Sequence, residues 1–389
     1  MKKVSSKIPL VAIVMPMKYG NSSLIARGIS EYMKLNHPWR IYLDDHGDAA
    51  DSPFDLDSKN LQGVICRNTT QKLVDYCKKS KIPLISMLDS QSFEGVSESV
   101  FDNVGMGHSA AEYLIEKGAR SIGYYNFKNE SWANMRKEGF LEALKLCKKS
   151  YSLLEVEYFS QVPTNWLIKQ EENLIEWFST LAKPASILCC NDFAARIATN
   201  ACLKYSIPVP EEISILGMNN ELSRCELSYP QISSVNPNPE RVGYNAAYLL
   251  DKQMHEKELP TLRIVSDSIG VVERRSTEFN LIDDPRVAKA LNFIHEHATR
   301  GITVDDVCKY AGASRSLLER RFRKELNRTP QSQIRMVQVE KAKQLLRETN
   351  WTLDQIAENL GYEHSEYLSV VFKRITGNSP GKYRKENAV

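Results

Sequence analysis

Thr303-Val-Asp-Asp-Val-Cys-Lys-Tyr-Ala-Gly312 is repeated 49 positions later as Thr352-Leu-Asp-Gln-Ile-Ala-Glu-Asn-Leu-Gly361. Each copy opens with Thr-x-x-Asp or Thr-x-x-Gln, a pattern typical of a capping box that satisfies free backbone N–H groups at a helix start. Apolar residues follow at helical spacing, and each copy closes on a glycine that can adopt the left-handed conformation of a tight turn. The repeat therefore predicts two short helices, each ending in a turn.

A second helix is predicted after each turn, where the offset between the copies becomes 50. The matched residues are Leu318 and Phe322 with Leu368 and Phe372, and the capping residue Asn327 with Gly377. Each Leu and Phe pair has the i, i+4 spacing of one helix face, which we expect to be buried. A short helix, a turn and a second helix make the helix-turn-helix plan, so the tail is predicted to contain two such units.

The outward faces of these second helices carry groups that suit DNA. In the first unit, the residues expected at base edges are Arg315, Ser316, Glu319 and Arg320, and those expected at phosphates are Arg323 and Lys324. Arg can fork onto guanine, and Glu can accept from cytosine. In the second unit the outward residues are Ser365, Glu366 and Tyr367, with less positive charge. A basic helix alone is more often a solvated protein-interaction surface, but caps, turns and duplication together favour double-stranded DNA as the partner.

Charge is unevenly distributed along the chain. There are 389 residues, with 51 Lys and Arg against 48 Asp and Glu. From Asp283 to the end these numbers are 19 and 14, which leaves 32 and 34 for the rest. A basic tail on a near-neutral body indicates a polyanionic partner for the tail. The length predicts two or three domains.

Cysteine spacing and hydropathy argue against several protein classes. The eight cysteines include no C-x-x-C pair, and we expect no disulfide framework, no metal site and no cofactor. The apolar run 10–17 is short, is broken by Pro16 and lacks a small-residue cleavage site, which indicates a first strand and no signal peptide. No stretch approaches the length of a membrane span. We therefore expect a cytoplasmic protein without membrane contact.

The body of the chain alternates short apolar runs with helical patterns. This alternation predicts parallel strands covered by helices, and its length favours two doubly wound lobes side by side. After the irregular segment 277–285, only helices are predicted. The expected domains are a sensing domain (1–276, with lobe 1 about 8–118 and 236–258, and lobe 2 about 119–235 and 262–276), a linker (277–285) and a DNA-binding domain (286–389).

Residues 284–385 resemble the AraC/XylS-type DNA-binding domain along its full length. The specific matches are Ile356-Ala-Glu-Asn-Leu-Gly-Tyr362, Tyr367-Leu-Ser-Val-Val-Phe-Lys373 and Ser379-Pro-Gly-Lys-Tyr-Arg384. The resemblance implies two helix-turn-helix subdomains joined by a long helix, about 331–349. It also implies that the two recognition helices enter successive major-groove turns on one face of the DNA.

The body resembles the effector domain of lac/gal-type repressors and the periplasmic sugar-binding proteins. The matching segments, in the family's order, are Arg27-Gly28-Ile29, Asp102-Asn103 with Gly107, 118–124, Arg136-Lys-Glu-Gly-Phe140, Cys190-Asn-Asp-Phe193, 213–219 and 242–247. A periplasmic-binding-protein-like α/β sensor followed by an AraC-type tail, with Glu273-Arg-Arg-Ser-Thr277 at the junction, is similar to the bacterial xylose operon regulators.

Polar residues after the predicted strands suit a sugar. Asp102, Asn191, Asp192 and Asn219 follow strands or lie in the loops behind them. Ligands of open α/β sheets lie beyond the carboxyl ends of the strands, and sugar hydroxyls require carboxylates and amides. Asp and Asn after strands are also common helix caps, so each residue alone has this plainer interpretation.

Three further residues complete the expected effector site. Arg136 matches the family position that reaches sugar hydroxyls from a helix. Trp132, one turn earlier, is expected to stack on the sugar, and Tyr19 to close the other side. A lone Trp is more often a core residue. Many relatives carry Asp where this chain has Asn219, and an amide donates as well as accepts, so another pentose or a related sugar stays open beside D-xylose.

Two other functions compete with a regulator. For an enzyme, Gly105-Met-Gly-His-Ser-Ala110 loosely imitates a dinucleotide motif, but it comes too late to be a first βα turn. We find no H-E-x-x-H, G-x-S-x-G or P-loop motif, and expect no catalytic residues. A sugar-binding protein of transport or chemoreception needs export, which the absent signal peptide and the basic tail oppose.

The resemblance also implies a switch. Sugar is expected to bind between the lobes and close them about hinges near Arg120, 233–236 and 259–262. Two protomers are expected to pair as a homodimer, so that closure changes how the tails are presented to DNA. In the xylose regulator family sugar favours activation, which implies an activator with RNA polymerase as a further partner.

Overall fold

The computed structural model describes residues 8–53, 56, 59–118, 121–159, 163–256, 260–278 and 284–387. Up to residue 278 the elements are, in chain order, β1 (Leu10–Val14), α1 (Gly20–Leu35), β2 (Arg40–Asp44), β3 (Gly63–Cys66), α2 (Gln71–Ser80), β4 (Leu84–Ser86), β5 (Ser97–Phe101), α3 (Asn103–Glu116), β6 (Ser121–Phe127), α4 (Ser131–Leu146), β7 (Tyr151–Val156), α5 (Thr164–Thr180), β8 (Ala185–Cys189), α6 (Asp192–Lys204), β9 (Ile213–Met218), α7 (Leu222–Cys225), β10 (Ser233–Val235), α8 (Pro239–His255), β11 (Arg263–Ser266) and β12 (Val271–Val272).

Two six-stranded sheets organise this part of the chain. The first has the strand order β11-β5-β4-β3-β1-β2, and all its pairings are parallel. The second has the order β12-β10-β9-β8-β6-β7, in which β12 runs antiparallel to β10. Separate cores cover the two faces of the first sheet, one with Ile25 and Leu250 from α1 and α8, the other with Leu73 from α2. The predicted two-lobed, doubly wound architecture is confirmed.

Paired glycines allow a close helix crossing in each lobe. A Cβ on Gly107 of α3 would lie 1.9 Å from a carbonyl oxygen of α4, and one on Gly139 of α4 would lie 1.9 Å from a carbonyl oxygen of α3. The same arrangement recurs between α1 and α8, at Gly28 and Gly243. Only a residue without a side chain permits such an approach. These glycines explain physically several of the segments on which the sensor resemblance rests.

The first lobe ends earlier than the boundary expected at residue 118, because α3 already belongs to the second lobe. Helix α3 follows β5 of the first sheet, but it packs against α4, which covers the second sheet. The chain therefore enters the second lobe at Asp102. We expected a hinge near Arg120, a residue that lies outside the described ones.

The expected assignment of 262–276 to lobe 2 is also wrong in part. Strand β11 pairs with β5 of the first sheet, and Arg263 Nη1 lies 3.0 Å from Glu98 Oε2 across this pairing. Only after β11 does the chain cross to β12 of the second sheet. Leu259, in the hinge expected at 259–262, lies outside the described residues. Residues 260–262 come before β11, so they precede the point at which the chain crosses to the second sheet. The hinge expected at 233–236 does fall at a crossing, because α8 after β10 packs on α1.

The tail is helical throughout its described residues, as predicted. Its helices are α9 (Pro285–His297), α10 (Val304–Ala311), α11 (Arg315–Leu326), α12 (Pro330–Glu348), α13 (Leu353–Asn359), α14 (Ser365–Thr376) and α15 (Pro380–Asn387). Thr303 and Thr352 each form the predicted capping box, with Asp306 and Gln355 respectively. Gly312 follows α10 at a φ of 62°, in the left-handed region that the turn requires.

Helix α12 belongs to both helix-turn-helix subdomains. Its residue Ile334 packs in the core of α9, α10 and α11 with Leu318 and Phe322. Further along, Val339 and Ala342 pack in a second core with α13 and α14. One helix that contributes to two cores fixes the spacing of the two subdomains.

A buried glutamine joins the subdomains at the middle of α12. Gln338 Nε2 donates to the carbonyl oxygens of Ala298, at 2.9 Å, and of Leu360, at 3.0 Å, one from each subdomain. Beside it, a Cβ on Gly361 would lie 2.4 Å from the backbone nitrogen of Gly301. This close junction limits relative motion of the two recognition helices.

The described chain forms two compact units. One holds the residues up to Tyr205 together with Ile215–Glu278, and the other holds Ser206–Ser214 together with the residues from 279 onward. Among the described helices, none has the length and apolar character needed to cross a bilayer.

Candidate functional site

Arg136 lies at the centre of the expected effector site. It projects from α4 and is 4% exposed. Its Nε donates to Asn103 Oδ1 at 2.8 Å, its Nη1 to the carbonyl oxygen of Cys190 at 2.6 Å, and its Nη2 to Asn219 Oδ1 at 2.9 Å. A guanidinium has five N–H groups, so two remain for another partner. Burial lowers the pKa of Arg136 from its ordinary value, while negative charges such as that of Asp89 oppose this effect.

Arg136 is the middle of a row of hydrogen-bonded side chains. On one side, Asn103 accepts from Arg136 and donates to the carboxylate of Asp89. On the other, Asn219 accepts from Arg136 and its Nδ2 lies 3.4 Å from Glu221 Oε1. The row extends from Asp89, after β4 of the first sheet, to Glu221, after β9 of the second. It offers alternating donors and acceptors, the chemistry that sugar hydroxyls require.

Asn219 owes its position to an unusual backbone. It has a φ of 109°, and the next residue, Asn220, has a φ of 50°. Positive φ values are uncommon outside glycine, and Asn tolerates them better than most residues. The backbone nitrogen of Asn219 donates to the carbonyl oxygen of Val235 on the neighbouring strand, at 3.0 Å. The loop thereby turns the Asn219 amide back towards Arg136.

Asp192 does not line the site as expected. It is fully buried, and both carboxylate oxygens accept from protein groups: Oδ1 from the Ser234 hydroxyl at 2.6 Å, and Oδ2 from the Glu221 backbone nitrogen at 2.7 Å. Burial raises the pKa of Asp192 to about 7, although these donors act in the opposite direction. Asp192 therefore supports the loop that carries Asn219 and Glu221, and does not itself face a ligand.

Two of the expected ligand residues serve as helix caps. Asp102 caps α3 by accepting from Gly105 N at 2.8 Å, and Asn191 caps α6 by accepting from Ala194 N at 2.8 Å. Both lie at the carboxyl ends of strands, as predicted. The hydrogen bonds that they make are those of helix caps, the alternative role that the sequence also allowed. Each is partly exposed, so a further partner has access to them.

Two aromatic side chains, Trp132 and Tyr19, lie near this row of hydrogen-bonded side chains. The guanidinium of Arg136 lies 4.9 Å from the centre of the Trp132 ring, whose Nε1 donates to Glu130 Oε2 at 2.7 Å. Tyr19, 43% exposed, lies before α1 in the first lobe, with the Arg67 guanidinium 5.1 Å from its ring centre. Trp132 and Tyr19 thus come from different lobes, as a site between them requires.

Four further polar residues of this region were not among the predicted effector-site residues. They are Arg67, Asp89, Asn103 and Glu221. Arg67 follows β3 and interacts electrostatically with Asp89 and Glu221. Position after a strand, the rule that selected Asp102, also applies to Arg67, Asp89 and Glu221 and would have identified them.

The lobes are in close contact at the start of α1. A Cβ on Gly20 of the first lobe would lie 2.6 Å from Cγ of Glu221 in the second. Glu221 Oε2 also accepts from Arg224 Nε at 2.6 Å. The Glu221 side chain is therefore packed between its own lobe and the facing one.

The first recognition helix, α11, presents its expected face outward. Arg315, Ser316, Arg320, Arg323 and Lys324 are exposed, and Glu319 is partly exposed, whereas Leu318 and Phe322 are buried. Arg315 Nε lies 3.1 Å from Glu319 Oε1, and its Nη1 lies 3.7 Å from Asp305 Oδ1. These contacts orient Arg315 along the helix face that carries the other basic side chains.

The second recognition helix, α14, presents all three expected residues at the surface, and one of them also bonds to α12. Glu366 is exposed and Ser365 is partly exposed, but the Tyr367 hydroxyl accepts from Arg335 Nη2 of α12. The Arg335 guanidinium also lies 5.7 Å from the Tyr367 ring centre. Tyr367 is 48% exposed and also contacts the connecting helix through Arg335; in the repeat it matches Leu317.

Outward residues of α14 that the sequence analysis missed follow from the offset of 50. Ser369, Val370 and Lys373 correspond to Glu319, Arg320 and Arg323. Val370 is 64% exposed, and Lys373 is exposed. The outward face of the second unit is thus more apolar than that of the first.

The described residues contain no group of three or more His, Cys, Asp or Glu placed to hold a metal ion. The eight cysteines are free thiols, of which Cys147 is exposed. Burial raises the pKa of several of these thiols, and that of Cys66 rises to about 12. Such thiols remain protonated and serve as small apolar core residues.

Two family models match the chain. Residues 111–277 match a periplasmic binding protein-like domain, and residues 307–386 match a helix-turn-helix domain. Both matches agree with the architecture of their regions, a parallel-sheet lobe and a helical tail.

Similar proteins match nearly the whole chain. It is 30% identical over 373 residues to the xylose operon regulatory protein of Escherichia coli (strain K12), covering 94% of each chain. It is 28% identical to the protein of that name from Haemophilus influenzae, covering 92% of this chain and 94% of the other. A solved structure described as a xylose-binding transcription activator has a TM-score of 0.82 and 27% identity, covering 99% of this chain and 100% of that one.

Proposed function

This chain belongs to the family of xylose operon regulatory proteins, and we propose that it is a transcription activator. It switches on pentose-catabolism genes when D-xylose or a related pentose binds between its lobes. It is a sugar-responsive, DNA-binding transcription regulator with an AraC-type tail. The observation that carries the proposal is similarity to xylose operon regulators over both the sensing lobes and the tail. A transport or chemoreception protein without a DNA role is not favoured, because such a protein has no use for that tail.

We assign the effector site to the hydrogen-bonded row and the aromatic residues beside it. Arg136 and Asn219 bind sugar hydroxyls, Asp89 and Glu221 accept from them, and Trp132 stacks on the C–H face. Tyr19 closes the site from the first lobe, with Arg67 beside it. Asp102 and Asn191 border the site from their cap positions, and Asp192 holds the Asn219–Glu221 loop in place.

The neighbours of Asn219 explain why an amide suits this position. Its oxygen accepts from Arg136, and its nitrogen faces the Glu221 carboxylate. An Asp here would place two carboxylates side by side, which is unfavourable. D-xylose remains the first candidate effector because the similar proteins of Escherichia coli and Haemophilus influenzae are xylose operon regulatory proteins.

The DNA site comprises the outward faces of α11 and α14. In α11, Arg315, Ser316, Glu319 and Arg320 read base edges, and Arg323 and Lys324 bind phosphates. In α14, Ser365 and Glu366 face the groove, and Tyr367 supports the helix from its α12 side. The larger positive charge of α11 gives the first unit the larger share of the affinity.

Several features of the assembly belong to the same proposal. We retain residues 277–285 as the linker, of which 279–283 lie outside the described residues, and 286–389 as the DNA-binding domain. A homodimer contacts the promoter together with RNA polymerase in the cytoplasm. The protein acts as a regulator and not as an enzyme, as do the transcription regulators to which it is similar.

Two measurements on the full chain test the proposal. Calorimetric titration with D-xylose, L-arabinose, D-ribose and D-glucose should give saturable heat with at least one pentose. Selection from a duplex library with a randomised segment of about 20 base pairs, two major-groove turns, should enrich a defined sequence. Absence of heat with every sugar would remove the effector role, and absence of enrichment would remove the regulator.

A further inference from the structure

Val370 is an exposed apolar side chain in the middle of the second recognition helix. It is 64% exposed, while Leu368, Val371 and Phe372 around it are buried in the subdomain core. The repeat aligns Val370 with Arg320, which stands at the outward centre of α11. The two residues occupy equivalent positions, but the first unit has the positively charged guanidinium of Arg320 where the second has the isopropyl group of Val370.

The neighbours of Val370 on the outward face are polar. Glu366 lies one turn before it and Lys373 about one turn after it, and both are exposed. A carboxylate can accept from cytosine N4, and a lysine near the helix end suits a phosphate. Val370 therefore lies between Glu366, which suits a base edge, and Lys373, which suits a phosphate. A side chain at this position is expected to face the base edges of the major groove.

The major groove displays one apolar group, the C5-methyl of thymine. A valine that faced a donor or acceptor would cover a polar atom without replacing its hydrogen bond, which is unfavourable, and the small C5–H of cytosine offers it less apolar contact than the methyl group. A valine against the methyl removes apolar surface from water on both sides. On this ground we propose that Val370 is a specificity-determining residue that contacts a thymine methyl in the half-site of the second unit.

This inference rests on the proposed DNA-binding function and adds an asymmetry to it. The first unit reads its half-site through charged hydrogen bonds, mainly those of Arg315 and Arg320. The second reads its half-site through a methyl contact beside Glu366. The first half-site therefore contains guanine opposite α11, and the second contains thymine opposite α14.

The test uses the full chain and the duplex enriched from the randomised library. Each thymine of that duplex is replaced in turn by deoxyuridine, which keeps the base pair and removes only the methyl group. Wild-type affinity should fall about fourfold at one thymine, the effect expected for burying a single methyl group. The Val370→Ala variant should bind the unmodified duplex more weakly by a similar factor and be insensitive to deoxyuridine at that thymine.

Ile375→Ala is the matched control, because Ile375 is also exposed on α14 but is rotated by more than a third of a turn from Val370. It should keep the wild-type response to deoxyuridine, and Val370→Thr, which retains one methyl group, should keep part of it. Equal sensitivity of wild type and Val370→Ala at every thymine would overturn the inference while leaving DNA binding intact. Failure of the library to enrich any sequence would overturn the inference together with the proposed function.

Discussion

Arg136 and Asn219 are joined by a 2.9 Å hydrogen bond from the Nη2 of the arginine to the Oδ1 of the amide. The bond ties helix α4 to the loop after β9, whose positive φ at Asn219 turns the amide inward. In the proposed effector site, Arg136 would therefore offer N–H groups to a sugar and also hold the Asn219 amide in position.

Replacement of Arg136 by Ala should abolish the sugar response. The variant loses the donors to Asn103, Asn219 and the Cys190 carbonyl, and removing a partner from a buried polar group costs about 1–3 kcal/mol. Its thermal midpoint should fall, and calorimetry should detect no sugar binding. DNA binding without sugar should persist, which shows that the tail is still folded. A sugar response equal to that of wild type would remove Arg136 from the site.

Gly20→Ala should weaken sugar binding through lobe closure. The new methyl group would lie 2.6 Å from Cγ of Glu221, so the Glu221 side chain must move and its contact with Arg224 weakens. We expect a roughly tenfold loss of sugar affinity, about 1.4 kcal/mol, with little change in thermal midpoint. Gly381→Ala is the control, since a Cβ there meets no atom within 4 Å. If Gly20→Ala binds sugar as wild type does, the lobes do not close at Glu221.

Asp192 should make the stability of the sensing domain depend on pH. Its folded pKa of about 7 lies above the value of about 3.9 for a free Asp, so the folded chain holds the proton more tightly. The group therefore stabilises the fold fully below the unfolded pKa, and this contribution is lost as the pH rises to about 7. Thermal midpoints measured from pH 5 to 8 should fall for wild type relative to Asp192→Asn. A constant difference between the two would show that Asp192 is ionised throughout.

Arg320→Ala should weaken DNA binding without changing sugar affinity. Loss of one bidentate contact to guanine costs about 1–3 kcal/mol, which is roughly 5- to 150-fold in affinity, and relaxes base choice at one position. Competition gel shifts with single-base variants of the enriched duplex measure both effects. Arg27→Ala, which removes another exposed positive charge, from α1 of the sensing domain, is the control. A uniform loss across all base variants would make Arg320 a phosphate contact instead.

The tail could be predicted nearly to the residue because its signals are local. A capping box at Thr303, a left-handed glycine at Gly312 and the i, i+4 pair of Leu318 and Phe322 each act within one or two helical turns. The same signals recur in the second unit. Helix α12 was expected at 331–349 and is found at Pro330–Glu348.

The sheets were less completely predictable. Strands β2 and β7 lie at the sheet edges, and most of their residues are at least partly exposed, so they lack the continuous apolar run that marked the central strands. The pairing of β11 with β5 joins residues about 165 positions apart, and no local pattern in the sequence encodes it.

The site was predicted in place but not in detail. Position after a strand located Asp192 and Asn219 correctly at the sheet ends, but only burial and hydrogen bonds separate a supporting carboxylate from an amide in the polar row. The close approach of Gly20 to Glu221 depends on how the two lobes pack together, and no periodicity in the sequence encodes it.

A sugar-responsive regulator must couple sugar binding to DNA binding, and this coupling can be measured as a change in two dissociation constants. The dissociation constant of the full chain for its enriched duplex is measured by fluorescence anisotropy without D-xylose and at saturation, and the sugar affinity is measured with and without the duplex. Bound sugar should tighten DNA binding by about 5- to 150-fold, and the duplex should tighten sugar binding by the same factor. A duplex affinity identical with and without bound sugar would contradict this prediction.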